Sequence, residues 1–185
     1  MEKAKVDGSL MKNYLAGTDT KVAFLGLFAC YVYYAEVPTA IEVATGLTDE
    51  FIAHQPITER GRPGHEKKPP KDYLLKRGVN FIFRGKVPMY SFSDSLKVVK
   101  FGNFDSYMLT YDAKLMNHLK QFKDVSFVDF PVWLDIYIPH LPEIPEATLV
   151  KEYHTFRDYY FNHNTDPERE QPFLDRLTKM SPGEQ

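Results

Sequence analysis

KVAFLGLFACYVYYAEVPTAIEVATGLTDE, residues 21–50, decides the fold class. Lys21 to Gly26 is a short apolar run of strand length and reads as a buried strand. Leu27 to Ala35 stays apolar, stops ahead of Pro38, and reads as a short helix. Thr39 to Ala44 is a second strand. A helix between two short apolar strands is the connection a parallel pair requires, because parallel neighbours cannot be joined by a hairpin.

The pattern continues downstream. The Thr48 hydroxyl can accept an early backbone N–H and cap a short helix through His54, with Asp49 and Glu50 favourably placed in its first turn. Gln55 to Lys71 is a long loop with four prolines and two glycines. Pro70 is a good first residue for a helix through Arg77, Gly78 ends it, and Val79 to Phe83 is a third strand. Strand, helix, strand, helix, helix, strand is the order of an α/β domain with a mostly parallel, Rossmann-like mixed sheet flanked by helices.

Upstream, Ser9 to Ala16 places Leu10, Met11, Tyr14 and Leu15 at helical spacing, with Gly17 as a stop. Past the third strand, Leu96 to Phe101 and Ser106 to Tyr111 flank the turn pair Gly102-Asn103 and read as a hairpin. Asp112 caps a helix to Phe122. Ser126 to Asp129 and Val132 to Ile138 are strand candidates. The second is bounded by Pro131 and Pro139 like an edge strand. Glu146 to Asn162 is an amphipathic helix carrying Leu149, Tyr153, Phe156 and Tyr160. A further helical turn opens at Asp166-Pro167-Glu168 and is interrupted at Pro172, and Met180 to Gln185 reads as a frayed tail. This divides the chain into an α/β domain, residues 1–165, and a helical appendage with a tail, residues 166–185.

The 185 residues and a 43% hydrophobic content suffice for one core. A net charge of −2 gives no reason to expect nucleic acid. The lone Cys30 excludes a disulfide framework, and its apolar surroundings predict a buried, inert thiol. The apolar run Val22 to Ala35 is too short to span a bilayer, so the chain as given is expected to be soluble, while it can be a piece of a longer protein. Charge is distributed unevenly. Thr58 to Arg77 holds seven Lys/Arg against three Asp/Glu, and Pro142 to Glu170 holds the reverse, three against seven.

The basic stretch overlaps the densest run of unusual residues, Gly46 to Lys68. An anion site is one reading: Arg60, Arg62, His65 and Lys67 with Lys68 would grip a phosphate, Glu66 sits among them, and Gly61 and Gly64 allow close backbone approach. A metal site from Asp49, His54, His65 and Glu66 is a second, but the spacing matches no known helical ligand pattern, and no metal or cofactor is expected. A third is purely structural, with Gly46, Thr48 and Asp49 shaping a turn and Gly61 to Glu66 folding on itself. Asp129 with Asp135 is a weaker carboxylate pair.

Residues 40–83, with the tyrosine pair just ahead of them, carry a resemblance. The matched residues are Tyr33-Tyr34, then Gly46-Leu47-Thr48-Asp49, Ile52-Ala53-His54, Gly61-Arg62-Pro63-Gly64-His65-Glu66-Lys67 and Asp72-Tyr73-Leu74-Leu75. In this order they resemble the start of the soluble C-terminal domain of polytopic, polyprenyl-phosphate-sugar-dependent glycosyltransferases of the arabinofuranosyl- and mannosyltransferase-like type. Glu42 stands near the place of that motif's leading Asp, with a different offset and length. The resemblance covers about a quarter of the chain.

It implies an accessory domain at the extracytoplasmic face, attached to the membrane through the transmembrane part of the same or a partner protein. Such a domain is not catalytic alone, and it contacts a saccharide or a polyprenyl-phosphate sugar. Arg62, His65 and Lys67 would then touch ligand while Thr48 and Asp49 shape the turn. A free-standing α/β small-molecule or sugar-phosphate enzyme built on the His54/His65/Glu66 loop is the alternative. A third reading is an interaction domain that docks a partner through Glu146 to Asn162.

Overall fold

A computed structural model describes residues 2–83 and 94–180. The elements in order are α1 (Glu2–Leu15), β1 (Lys21–Phe24), a 3-10 turn (Gly26–Phe28), α2 (Ala29–Ala35), β2 (Thr39–Glu42), α3 (Glu50–Ala53), α4 (Lys71–Lys76), β3 (Phe81–Phe83) and α5 (Asp94–Lys97). They continue with β4 (Val98–Phe101), β5 (Phe104–Met108), α6 (Ala113–Leu119), β6 (Val125–Ser126), α7 (Phe130–Tyr137), a 3-10 segment (Ile138–Glu143), α8 (Glu146–Phe156), a π turn (Arg157–Phe161) and α9 (Pro167–Met180). The tail beyond Met180 lies outside the described residues. Among the described residues no helix is long and apolar enough to cross a membrane.

The sheet has six strands in the order β2-β1-β3-β5-β4-β6. β1 pairs parallel with β2 and β3, and the other three pairings are antiparallel. The α/β class with a mixed sheet, parallel at one end, is therefore as the strand pattern predicts. Alternation within β1 sorts its side chains onto two faces. Val22 and Phe24 join the main core with Met11 and Tyr14 of α1 and Val32 and Ala35 of α2. Ala23 joins a smaller core with Ile41, Ile52, Leu74 and Ile82, roofed by α3 and α4. The β1–β2 and β2–β3 crossovers thus cover opposite faces, and in open α/β sheets that arrangement opens a crevice at the C-terminal ends of the strands.

α1 begins seven residues earlier than its apolar spacing suggests, because Ala4 and Gly8 also face inward. A Cβ on Gly8 would sit 2.7 Å from both the Tyr31 carbonyl oxygen and the Tyr34 Cβ, so glycine is what lets α1 lie directly on α2. Cys30 is exposed, contrary to expectation, since α2 turns Val32 and Ala35 inward instead.

Two C-terminal expectations fail for tertiary reasons. Val132 to Ile138 is helical, within α7, and not an edge strand. Its alternating apolar residues also fit a helix, and Phe130, Trp133 and Tyr137 meet only at helical spacing. There they stack with ring centroids 5.3 Å and 4.7 Å apart. Pro172 does not interrupt α9. The missing hydrogen bond is offset by Phe173, fully buried in the main core, and by Arg169, whose guanidinium grips Asp135 at 2.7 and 2.9 Å and Asp166 at 2.9 Å. Asp129 accepts instead from Tyr111 and Lys120, so Asp129 and Asp135 form no carboxylate pair.

A recurring device ties these elements together. Among the described residues six tyrosine hydroxyls donate to carboxylates: Tyr14 to Asp124, Tyr73 to Asp49, Tyr111 to Asp129, Tyr137 to Glu152, Tyr153 to Glu170 and Tyr160 to Asp166. Burial first, then the neighbouring carboxylate, pushes Tyr14 and Tyr153 up to about 12. Tyr111, Tyr137 and Tyr160 are raised further by the same causes in their own surroundings.

A phenol whose folded-state pKa is raised contributes stability that is complete below its unfolded value, near 10, and lost as pH climbs through the folded value. Unfolding free energy measured in denaturant should therefore fall steeply from about pH 10 toward about pH 12. Tyr153→Phe combined with Tyr14→Phe should make that limb shallower, and an unchanged limb would show that these phenols are not linked to folding.

Candidate functional site

The site is built from the end of β2 outward. Glu42 is buried, 5% exposed. Its carboxylate accepts from the backbone N–H of Ala44 (3.0 Å), Thr45 (2.7 Å) and Gly46 (3.3 Å), and from the Thr45 hydroxyl. A buried carboxylate is tolerated only when donors replace its water, and here the donors are the next turn of its own chain. Gly46 closes that turn at φ +74°, where a Cβ would stand 2.7 Å from the Ala53 backbone. Both the left-handed conformation and the close approach demand glycine.

Thr48 does not cap the following helix. Its hydroxyl accepts the Glu42 N–H at 3.1 Å, tying the turn back to β2. Asp49 is the cap: its carboxylate accepts the Ile52 N–H at 3.0 Å. Thr48 is spent on the strand, which leaves the next carboxylate as the side chain able to reach an early N–H of α3. The same carboxylate takes Tyr73 Oη at 2.6 Å and an Arg77 N–H at 2.7 Å from α4, while Tyr73 stacks on Phe51 at 4.1 Å. Burial alone would raise the Asp49 carboxyl, but its bonds from Tyr73 and the Ile52 N–H, with the Arg77 charge, together hold it below the usual carboxylate range. Its share of stability is present above that range and lost as pH falls through the lowered value.

The long loop is pinned at its base by Lys67. Its N–H donates to the Ala44 carbonyl at 3.0 Å and its ammonium to the Gln55 carbonyl at 2.5 Å. Lys67 is therefore an anchor of the loop, and Glu66 is another, accepting the Gly61 N–H at 3.3 Å. The His65 N–H donates to the Arg62 carbonyl at 2.9 Å, closing a turn in which Gly64 has φ +78°. Imidazole Nδ1 faces the Pro63 carbonyl at 3.4 Å. Nε2 lies 3.7 Å from where a Cβ on Gly26 would be, and Glu42 Oε1 lies 3.9 Å from the same point. His65 thus overhangs the C-terminal ends of β1 and β2.

Arg60 and Arg62 are exposed and form no ion pair among the described residues, whereas Lys68 pairs with Glu59. Three apolar side chains stand out on the same stretch: Leu47 is 87% exposed, Phe51 43% and Ile57 46%.

His65 and Glu66 do not converge, because Glu66 turns back on Gly61 and Glu42 is committed to its turn. His54 stands apart, its Nδ1 against the Glu50 carbonyl at 2.7 Å. Among the described residues no group of three or more His, Cys, Asp or Glu side chains could hold a metal ion, and His54, His65 and Glu66 form no such group. Glu42 was visible in the sequence only as a misaligned counterpart of a motif carboxylate, and no spacing rule announces a side chain that caps its own downstream turn.

Comparison of the chain with profiles of known protein families, with curated proteins and with solved structures returns no match.

Glu42→Ala should cost about 3 kcal/mol, because it leaves buried N–H groups unpaired, and Gly46→Ala should cost at least as much as a strained, overpacked site, about 2 kcal/mol. Denaturant midpoints measure both. A loss below about 0.5 kcal/mol for Glu42→Ala would mean that the turn holds without its carboxylate.

Proposed function

We propose that this chain is an accessory extracytoplasmic domain of a membrane glycosyltransferase that uses a polyprenyl-phosphate sugar. In this reading the 55–71 loop contacts the anionic part of a saccharide lipid or its glycan acceptor, and the transmembrane part supplies the chemistry. The observation that carries the reading is the pair Arg60 and Arg62, exposed and without an ion pair among the described residues, on a loop whose base is pinned by Lys67. Arg77 and Arg169, by contrast, are held by carboxylates. A guanidinium suits a phosphate through paired donors, and leaving two in water on a shaped loop keeps them available for one.

The exposed Leu47, Phe51 and Ile57 add apolar surface to the same segment, which fits a ligand joining a phosphate to a hydrocarbon chain. The ordered blocks around Gly46-Leu47-Thr48-Asp49 and Gly61 to Lys67 supply the remaining support. Lys67 and Glu66 serve in this reading as anchors of the loop, and His65, exposed over the ends of β1 and β2, is its third contact.

The test is titration with a short-chain polyprenyl-phosphate sugar in detergent micelles. Arg60→Ala with Arg62→Ala should weaken binding at least about tenfold, since hydrogen bonds to charged groups are worth about 1.5–3 kcal/mol each. The same pair should leave stability within about 0.5 kcal/mol, as surface changes do. No binding by the unaltered chain, or equal binding by the variant, would reject the proposal.

A further inference from the structure

A second concavity lies at the opposite end of the strands, and none of the 55–71 loop residues lines it. It is a cleft of about 420 Å3, within the roughly 300–1,000 Å3 typical of small-molecule sites. Its walls are the turn after α1, the turn between α4 and β3, and the beginning of α6.

The polar groups on those walls are incompletely used. The Asp19 carboxylate and the Lys114 ammonium are exposed and have no partner among the described residues. Asn80 spends Oδ1 on the Lys21 N–H at 2.9 Å, which leaves both donors of its amide nitrogen. Asp112 spends Oδ1 on the Leu115 N–H at 2.9 Å, which leaves Oδ2. Among the described residues the Lys21 ammonium reaches the Arg77 carbonyl alone, at 3.3 Å, with two donors to spare.

These free groups are balanced in charge, Asp19 and Asp112 against Lys21 and Lys114. A phosphate would meet two carboxylates there, and a metal cation would meet two ammonium groups. No Phe, Tyr or Trp is among the lining residues, and the imidazole that is, His118, is tied to the Tyr14 carbonyl at 2.9 Å and to Gln121 at 3.0 Å and packs edge-on against Phe122, so the lining favours a ligand without a flat ring. A hydroxyl both donates and accepts, so a ring bearing several of them can satisfy the carboxylates, the ammoniums and the amide together with no net charge of its own. Leu115 offers an apolar wall to a C–H face.

We infer that this cleft binds a neutral saccharide unit through Asp19, Lys21, Asn80, Asp112 and Lys114. The inference rests on the cleft alone and stands or falls independently of the glycosyltransferase reading.

The experiment is an amide 1H–15N titration of the whole chain with methyl hexosides and methyl pentosides, with inorganic phosphate and free serine as competing probes. Saturable shifts confined to residues 17–21, 78–80 and 112–118, with a Kd on the order of 1 mM, are expected for a saccharide. Asp19→Ala with Lys114→Ala should weaken that binding at least about tenfold while amides elsewhere keep their positions. Arg60→Ala with Arg62→Ala should bind the glycoside as the unaltered chain does. The inference is overturned if no glycoside gives a saturable shift, if only phosphate or serine shifts these amides, or if the Asp19/Lys114 variant binds equally well.

Discussion

Glu42 ends β2, the edge strand of the parallel half, with its carboxylate out of water, and everything at that end of the sheet is arranged around the need to solvate it from within. Three consecutive backbone N–H groups, from Ala44 to Gly46, and one hydroxyl point inward at a single side chain. That forces the turn to be tight, the tightness requires Gly46 in a left-handed conformation, and the glycine in turn lets the turn rest on the Ala53 backbone. Thr48 returns to the strand and Asp49 is left to cap α3 and join α4. Lys67 then bonds to Ala44, so the register of the long loop is set by the same carboxylate at one remove.

The other half of the molecule is held differently. From α7 onward the core is built of stacked and edge-on rings, with Phe130, Phe156, Tyr159 and Phe173 at its centre. Aromatic rings fill space without specifying rotation about a helix axis, and the tyrosine–carboxylate bonds supply that specification, since each hydroxyl must find a named acceptor on another segment. Tyr111 illustrates the coupling: its ring packs against Phe130, Tyr159 and Tyr160, its hydroxyl reaches Asp129, and its carbonyl accepts from Asn164. The aromatic half therefore gives the sheet a stiff backing, and the loops that carry exposed cations project from the opposite, parallel edge.

The sequence made the parallel half legible because short β-branched and aromatic runs, a helix of intermediate length and proline or glycine stops all agree there. The C-terminal half was less legible because its local signals conflict with its packing. Val132, Leu134 and Ile136 alternate as a strand would, yet the rings of Phe130, Trp133 and Tyr137 have partners only if the segment is helical. Pro172 argues for a break that the burial of Phe173 overrides. At the site, residue types pointed to a basic loop, and Arg60 and Arg62 are indeed its open cations. The division of labour between open and anchoring residues was not legible. Lys67 and Arg62 look alike in sequence, and only the position of the Gln55 carbonyl turns one of them into a structural residue. The charge-balanced cleft was invisible because its residues come from three separate turns with no common motif.

The mixed sheet also has a kinetic side. β4 and β5 are joined by a two-residue turn, so their pairing closes almost no chain and can form and reform locally. Val22, however, pairs with Phe81, and the whole of α2, β2, α3 and the basic loop lies between them. That closure is non-local and slow in the sense that contact order measures. The turn around Glu42 and the loop pinned by Lys67 are inside the closed segment. The surface that presents Arg60 and Arg62 thus depends on a closure that costs more chain entropy than the hairpin's.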